Sequence, residues 1–349
     1  MERKSSMKIG IVAPSSQVPQ VELTLGIQKL REVGFEVVVH PQCKKSHLFF
    51  AGQDELRAQA FFEFAQDPQI EVLWCARGGY GAIRLLALLE KLTSEKGAPP
   101  PKLLVGYSDI TALMDFVQKR WGWQVLHAPL PSLRKFSLLP QKDWRSIQDW
   151  VRKKPAHAPW EEKKLKFWST PPTRTLQGVL EGGNLTVWTS LIGTPYQPDM
   201  RGKFVFFEDV DEALYRMDRM LQQIHLSGAL TGVRAIVLGN FLNCKDASAS
   251  VLSHLPAPRN RTRVLEAPKA QSLRPLRKVF SAEAGLKKIW GEFGERLGVP
   301  VVFGLPVGHG PQVSPLPLGA RYELTPQGKL KLLQWEWLEE KTPRQVRVK

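Results

Sequence analysis

The chain has 349 residues, 43% hydrophobic and 23% charged, with a formal net charge of +16. That is the balance of a globular protein long enough for two domains, each with its own core. No stretch approaches the roughly 20 consecutive apolar residues of a membrane-spanning helix, which excludes a bilayer-crossing chain and a membrane partner. The basic excess raises the question of nucleic acid. It is spread out, however, densest at Arg259, Arg261, Arg263, Lys269, Arg274, Arg277 and Lys278 and in the tail 341–349. No RNA-binding aromatic signature or DNA-reading motif accompanies it, so nucleic acid is not the expected partner. Cys43, Cys75 and Cys244 lie far apart without C-x-x-C spacing, which predicts neither a disulfide framework nor a zinc site. The charged N-terminus is followed by an apolar run that breaks at Pro14, which predicts no secretory signal and a cytoplasmic protein.

In chain order, residues 8–12 read as a short apolar strand that runs into Ala13-Pro14-Ser15-Ser16, and residues 21–33 as a helix. A strand at 35–39, a helix at 54–64 and a strand at 72–76 follow, the last ending at Arg77-Gly78-Gly79-Tyr80-Gly81. A helix at 82–92 precedes the apolar strand Leu103-Leu104-Val105-Gly106, and another helix pattern departs from Ser108. Strands and helices alternating in such short units predict an α/β fold, its N-terminal sheet mainly parallel with helices on both faces. In such sheets ligands sit beyond the carboxyl ends of the strands, where Ser15, Gly78, Gly79 and Ser108 fall. Residues 151–177, rich in Lys, Pro, Trp and Glu, read as a linker between an N-terminal domain, 1–150, and a second α/β domain, 178–349, built on a mixed sheet. In the second domain the pattern gives a strand-turn at 178–185 with a helix to 192, and an apolar strand at 203–207 ending in Glu208-Asp209. A helix at 212–226, a strand at 235–239, a long Pro- and Arg-rich loop from 246 to about 271, a helix at 282–297 and a strand at 301–303 complete it. The last strand runs into Gly304-Leu305-Pro306-Val307-Gly308-His309-Gly310.

A serine on a strand-to-helix turn has two readings. It caps the helix, or it is presented as a nucleophile with the first helical N–H groups aimed at what it attacks. A nucleophilic serine needs a base, and the base needs a group to orient it. Of the seven histidines, His309 alone sits in a glycine-flanked loop beyond an apolar strand. Glu208 ends an apolar strand, where a carboxylate requires a partner such as histidine; alternatively it serves, with Asp209, Asp211 and Glu212, as an acid at a helix N-terminus. Gly78 and Gly79 belong to neither a G-x-G-x-x-G fingerprint nor a P-loop. Their backbone allows close approach to a ligand, and the Gly79 N–H with that of Asp109 would form a two-donor cradle for an oxyanion; a structural glycine turn is the equal alternative. No H-E-x-x-H or clustered carboxylate–histidine pattern points to a metal, and no cofactor is expected.

The combination resembles the LD-carboxypeptidase family of serine peptidases, which includes muramoyltetrapeptide carboxypeptidases and microcin-C-type self-immunity hydrolases. The resemblance rests on Ile11-Val12-Ala13-Pro14-Ser15-Ser16, Ala51-Gly52-Gln53-Asp54 with Arg57, Ala76-Arg77-Gly78-Gly79-Tyr80-Gly81 and Gly106-Tyr107-Ser108-Asp109-Ile110-Thr111. It continues through Glu181-Gly182-Gly183-Asn184-Leu185, Phe207-Glu208-Asp209-Val210, Gly304 to Gly310 and Pro317-Leu318-Gly319. It implies a two-domain cytoplasmic hydrolase, commonly a homodimer. Ser108 would be the nucleophile, His309 the general base, Glu208 its orienting carboxylate, and the N–H groups of Asp109 and Gly79 the oxyanion donors. The implied substrate is a murein tetrapeptide that loses its terminal D-alanine; a peptidyl-nucleotide antibiotic cleaved by the same mechanism is the alternative, and a non-catalytic binder of murein peptide or nucleic acid the remaining one. The substrate's carboxylate would meet Arg77, the Gly78 backbone or the helix opening near Gly182 and Gly183. The Arg-rich segment 246–277 and the basic tail depart from the family pattern.

Overall fold

The structure is a computed structural model that describes residues 7–154, 158–245 and 282–339. The Arg-rich segment 246–277 and the tail 341–349 lie outside the described residues, as does part of the expected linker, 155–157. Among the described residues no helix is long and apolar enough to cross a membrane.

Strands β1 (Lys8–Val12), β2 (Glu36–Val39), β3 (Val72–Cys75), β4 (Leu103–Gly106) and β5 (Gln124–His127) form a parallel sheet in the order β2-β1-β3-β4-β5. Helices α1 (Gln20–Glu32), α2 (Asp54–Gln66), α3 (Leu86–Lys96) and α4 (Thr111–Trp121) connect them. Both faces of the sheet are covered, so β3 and β4 are buried at every residue and read in sequence as unbroken apolar runs. Helix α4 ends with Lys119 and Arg120 in its last turn and Gly122 in the left-handed conformation beyond it, the arrangement that satisfies carbonyls at a helix end. The strand order reverses between β1 and β3, and that reversal opens a crevice beyond the strands' carboxyl ends. Two further helices follow, α5 (Arg134–Ser137) and α6 (Gln141–Val151).

The second sheet holds β6 (Lys166–Phe167), β7 (Leu176–Asn184), β8 (Phe204–Val210), β9 (Ala235–Leu242) and β10 (Val301–Phe303). Between them run α7 (Leu185–Thr189), α8 (Leu214–Leu226) and α9 (Ala282–Leu297). The chain closes with β11 (Leu316–Leu318), β12 (Ala320–Leu324) and β13 (Leu330–Gln334). The sheet order is β13-β12-β7-β8-β9-β10-β6; the strands from β7 to β10 are parallel, and β12, β13 and β6 add antiparallel edges. The second unit is thus a mixed α/β sheet, as its pattern predicts.

Strand pairing crosses the expected division once and draws in the expected linker once. β11 leaves the second unit to pair antiparallel with β5 of the first sheet, and β6, inside the expected linker, pairs with β10. That linker is packed along both units: Trp160 is buried edge-to-face with Trp150 at 6.4 Å between centroids and donates its indole N–H to the Pro315 carbonyl at 3.0 Å, and Trp168 stacks on Phe303 at 4.1 Å.

The end of β7 demands glycine, against β8 at Gly182 and against the first unit at Gly183. A Cβ on Gly182 would fall 2.1 Å from the Phe206 carbonyl oxygen, and one on Gly183 would fall 2.4 Å from Thr111 Oγ1; both residues also have positive φ, +123° and +155°. Gly182→Ala is expected to lower unfolding free energy by about 3 kcal/mol through overpacking and backbone strain. Urea denaturation checks this; a change within about 0.5 kcal/mol, the size of a neutral surface substitution, would contradict it.

Candidate active site

Three loops meet where the first sheet's strand order reverses. The Asp109 carboxylate, buried, accepts from Ser15 Oγ at 2.6 Å and from the Ala82 N–H at 2.8 Å. It therefore fastens the loops after β1, β3 and β4 to one another. Burial pushes its pKa up, opposed by Ser15, the Ala82 and Gly81 N–H groups and the charge of Arg57. Arg57, fully buried, extends the brace by donating to the carbonyls of Pro14, Gly52 and Gly81 and to Asp54. This accounts for the Gly52–Arg57 motif as scaffolding.

Ser108 stands on that knot. After extended Tyr107 (φ −168°) the chain turns sharply, and Ser108 takes φ +64°, a left-handed conformation that costs a non-glycine residue roughly 1–2 kcal/mol. A short 3-10 turn, Ser108–Ile110, intervenes before α4 begins. The strain lifts the hydroxyl out of the strand line onto a tight elbow, where Ser108 is half-buried. The glycines beside it are needed. A Cβ on Gly78 would lie 3.1 Å from Ser108 Cβ, and one on Gly79 (φ +102°) 2.3 Å from Ser16 Oγ. The Gly78-Gly79 backbone therefore threads between Ser16 and Ser108.

The second unit brings the acid and the imidazole. Glu208 lies inside β8, two residues before its end, where the pairing with β9 shifts register between Phe207 and Asp209. The irregularity at Gly239 and Asn240 of β9 receives the loop after β10: the Asn240 N–H donates to the Val307 carbonyl at 2.8 Å, and a Cβ on Gly239 would fall 2.5 Å from that oxygen. Gly308, at φ +108°, then passes so close to Glu208 that a Cβ would be 2.5 Å from Oε2. As a result His309 donates twice to Glu208 Oε2, from Nδ1 at 2.7 Å and from its backbone N–H at 3.1 Å. Burial pushes the Glu208 carboxyl up, but the hydrogen bond and charge of His309, the charge of His127 and the Asn184 amide outweigh it and hold the pKa below the usual range. The pair is buried on the acid side, with Glu208 0% and His309 15% exposed.

The two units close on each other here. The Asn184 N–H donates to Thr111 Oγ1 at 3.0 Å, and the Tyr107 ring lies 4.7 Å from the His309 ring between centroids. Tyr107, the residue before Ser108, thus meets the His309 ring across the seam. Among the described residues neither Ser108 Oγ nor His309 Nε2 is hydrogen-bonded.

Two expectations change. The helix opening near Gly182 and Gly183 was expected to offer free N–H groups to a substrate carboxylate. In α7 the Val187 N–H is capped by Asn184 Oδ1 at 3.1 Å and the Thr186 N–H by Asp209 Oδ2 at 3.0 Å, so this chain's own side chains fill the place of the anion. Gly182 and Gly183 themselves are buried in β7 for packing. The reading of Glu208 as a helix N-terminal acid gives way as well: α8 begins at Leu214, and Glu208 lies in a strand. Arg77 is half-buried and donates from Nη1 to the Gln17 carbonyl at 2.8 Å.

Two residues here were not singled out in sequence. His127, at the end of β5, is fully buried beneath Tyr107 and Phe206, at 5.6 and 5.3 Å between centroids; burial pushes its pKa down to about 4. Lys135 in α5 holds its ammonium 5.2 Å from the centre of the Tyr107 ring. An apolar strand end preceding a His, and a lone Lys in a short helix, carry no pattern that separates them from many others.

Known proteins share this architecture. The family model for the LD-carboxypeptidase N-terminal domain matches residues 9–128, and that for its C-terminal domain residues 177–324. A probable murein peptide carboxypeptidase of Bacillus subtilis (strain 168) is 32% identical over 240 residues, 68% of this chain and 72% of that protein. The crystal structure of muramoyltetrapeptide carboxypeptidase from Oxalobacter formigenes superposes with a TM-score of 0.69 at 28% identity, covering 94% of this chain and 99% of that one. MccF in complex with glutamyl sulfamoyl guanosine superposes with a TM-score of 0.71 over 97% and 98% of the two chains; at 18% identity this shows a shared fold. With both domain models matched in order and a relative at this identity over two thirds of its length, the chain belongs to the LD-carboxypeptidase family.

Proposed function

We infer that the protein releases the terminal D-alanine of a murein tetrapeptide by an acyl-enzyme mechanism in which Ser108 is the nucleophile, His309 the general base and Glu208 its orienting carboxylate. The observation that carries this is the 2.7 Å contact from His309 Nδ1 to an ionised, buried Glu208, across the seam from a serine held in a strained turn. With Nδ1–H committed to Glu208, Nε2 is the nitrogen left to take a proton. As Ser108 Oγ bonds to the scissile carbonyl carbon, its proton passes to Nε2; the tetrahedral oxyanion is received by the N–H groups of Asp109 and Gly79. Collapse breaks the C–N bond, the proton goes to the departing D-amino acid, and water repeats the cycle on the ester. The Ser108–His309 hydrogen bond is one that forms with substrate in place, as catalytic hydrogen bonds of free enzymes often do. The murein substrate draws support from the names of the relatives and from the family's LD specificity, and a cytoplasmic homodimer remains the expected setting.

The test is purified protein with defined tetrapeptides, read by mass for loss of alanine, together with fluorophosphonate labelling of the serine. Release of D-alanine but not of a terminal L-alanine, with a label on Ser108, is expected. Labelling without release from any murein peptide, but with cleavage of a peptidyl nucleotide, would replace this substrate by the other. Absence of both would leave a binder.

A further inference from the structure

The geometry points to Lys135 as the group that binds the α-carboxylate of the leaving D-residue and so restricts this active site to chain ends. The inference rests on the carboxypeptidase reading above and names a residue for its defining feature, a free carboxylate one residue beyond the scissile bond. Such a group requires a cation or bare N–H donors close to the oxyanion site. The α7 opening is filled by Asn184 and Asp209, and Arg77 spends a donor on the Gln17 carbonyl. Lys135 has neither restriction. Among the described residues its ammonium has no carboxylate within 4.0 Å and no hydrogen bond, although the residue is half-buried. Its ammonium lies over the Tyr107 ring, which precedes Ser108 and faces the His309 ring at 4.7 Å.

The perch is rigid and close. The Ser132 N–H donates to the Ala76 carbonyl at 3.2 Å, and a Cβ on Gly78 would touch Leu130 at 3.5 Å, so the segment leading into α5 runs over the Ala76–Gly79 loop beside Ser108. Phe136 is fully buried against Trp74 and Trp144, and Lys29 Nζ donates to the carbonyls of Phe136 at 3.1 Å and Ser137 at 2.9 Å. A cation partly removed from water without a counter-ion is unfavourable alone and is relieved by an incoming anion. The depressed pKa of Lys135, caused by burial and opposed by the charge of Glu208, agrees with that state.

The experiment compares kcat/KM for a tetrapeptide ending in D-alanine with that for its C-terminal carboxamide, in wild type, Lys135→Met and Lys135→Arg, with folding followed by thermal unfolding. Wild type is expected to prefer the free carboxylate by about 50-fold, the worth of a charge-assisted hydrogen bond with its ion pairing. Lys135→Met should bring the ratio below about 5, mostly through KM, while Lys135→Arg keeps most of it. A wild-type preference that survives unchanged in Lys135→Met overturns the role of Lys135 and leaves the carboxypeptidase reading standing. Equal cleavage of acid and amide by wild type overturns carboxylate recognition itself. Failure of wild type to release D-alanine from either peptide removes the reading, and this inference with it. Should Lys135→Met not fold, the Arg variant and Lys135→Gln carry the comparison.

Discussion

Replacing Ser108 with alanine is expected to reduce D-alanine release by at least about 10⁴-fold while leaving the unfolding temperature nearly unchanged, because the substitution removes the nucleophile and no hydrogen bond the fold relies on. Ser108 Oγ is bonded to none of the described residues, so no buried partner is orphaned by its loss. Glycine at the same position separates chemistry from conformation. Ser108 has φ +64°, a conformation that costs alanine as much as serine but costs glycine nothing. Ser108→Gly should therefore be as inactive as the alanine variant yet more stable than wild type by about 1 kcal/mol, the strain offset by glycine's greater unfolded-state entropy. Steady-state assays and urea denaturation on the three proteins measure both. An alanine variant that retains robust turnover would remove Ser108 from the mechanism. An inactive glycine variant no more stable than the alanine one would show that the elbow's strain does not exceed glycine's unfolded-state entropy cost.

What the sequence made legible is what its local chemistry requires. Gly78, Gly79, Ser108 and Asp109 are loop residues after apolar strands, and Gly308 and Gly310 flank His309 because the loop must pass within contact of Glu208 and Asn240. Such demands on backbone leave glycine in the sequence as a visible mark. The parallel sheet was equally readable, since β3 and β4 are apolar throughout. What was not legible depends on neighbours far along the chain. β11 is three residues, one of them Pro317, and becomes a strand only because β5 offers an open edge. β6 is two residues against β10. α6 did carry a signal, since Trp144, Ile147, Trp150 and Val151 all face inward at helical spacing. The Glu208–His309 pairing, which the family resemblance implied, links residues 101 apart, and its geometry comes from the register shift against β9 and the turn at Gly308, which leave no local signal of their own. Lys135 gains meaning from the ring beneath it, which belongs to another loop.

Glu208→Gln tests that pairing with the second large effect. Glutamine preserves the size of the side chain, but its Nε2H₂ or Oε1 must now face both the Nδ1 and the backbone N–H of His309, and it bears no charge to stabilise an imidazolium. Loss of the orienting carboxylate in a Ser-His-acid arrangement costs on the order of 10³–10⁴ in kcat, through the wrong tautomer and the missing counter-charge. The same magnitude is expected here, with the protein still folded at neutral pH, since buried Glu208 is replaced by a neutral group that needs less solvation. The pH dependence gives an independent check. The folded-state pKa of Glu208 is depressed; its ionisation therefore contributes stability that is present above the unfolded-state value of about 4.3 and is lost as pH falls through the folded value. Wild type should accordingly lose more stability than Glu208→Gln over that acid range, and the two denaturation curves should approach parallel behaviour above it. Retained kcat in the glutamine variant would leave His309 without need of a carboxylate. Equal acid sensitivity in the two proteins would mean that Glu208 is not held ionised by the imidazole at all.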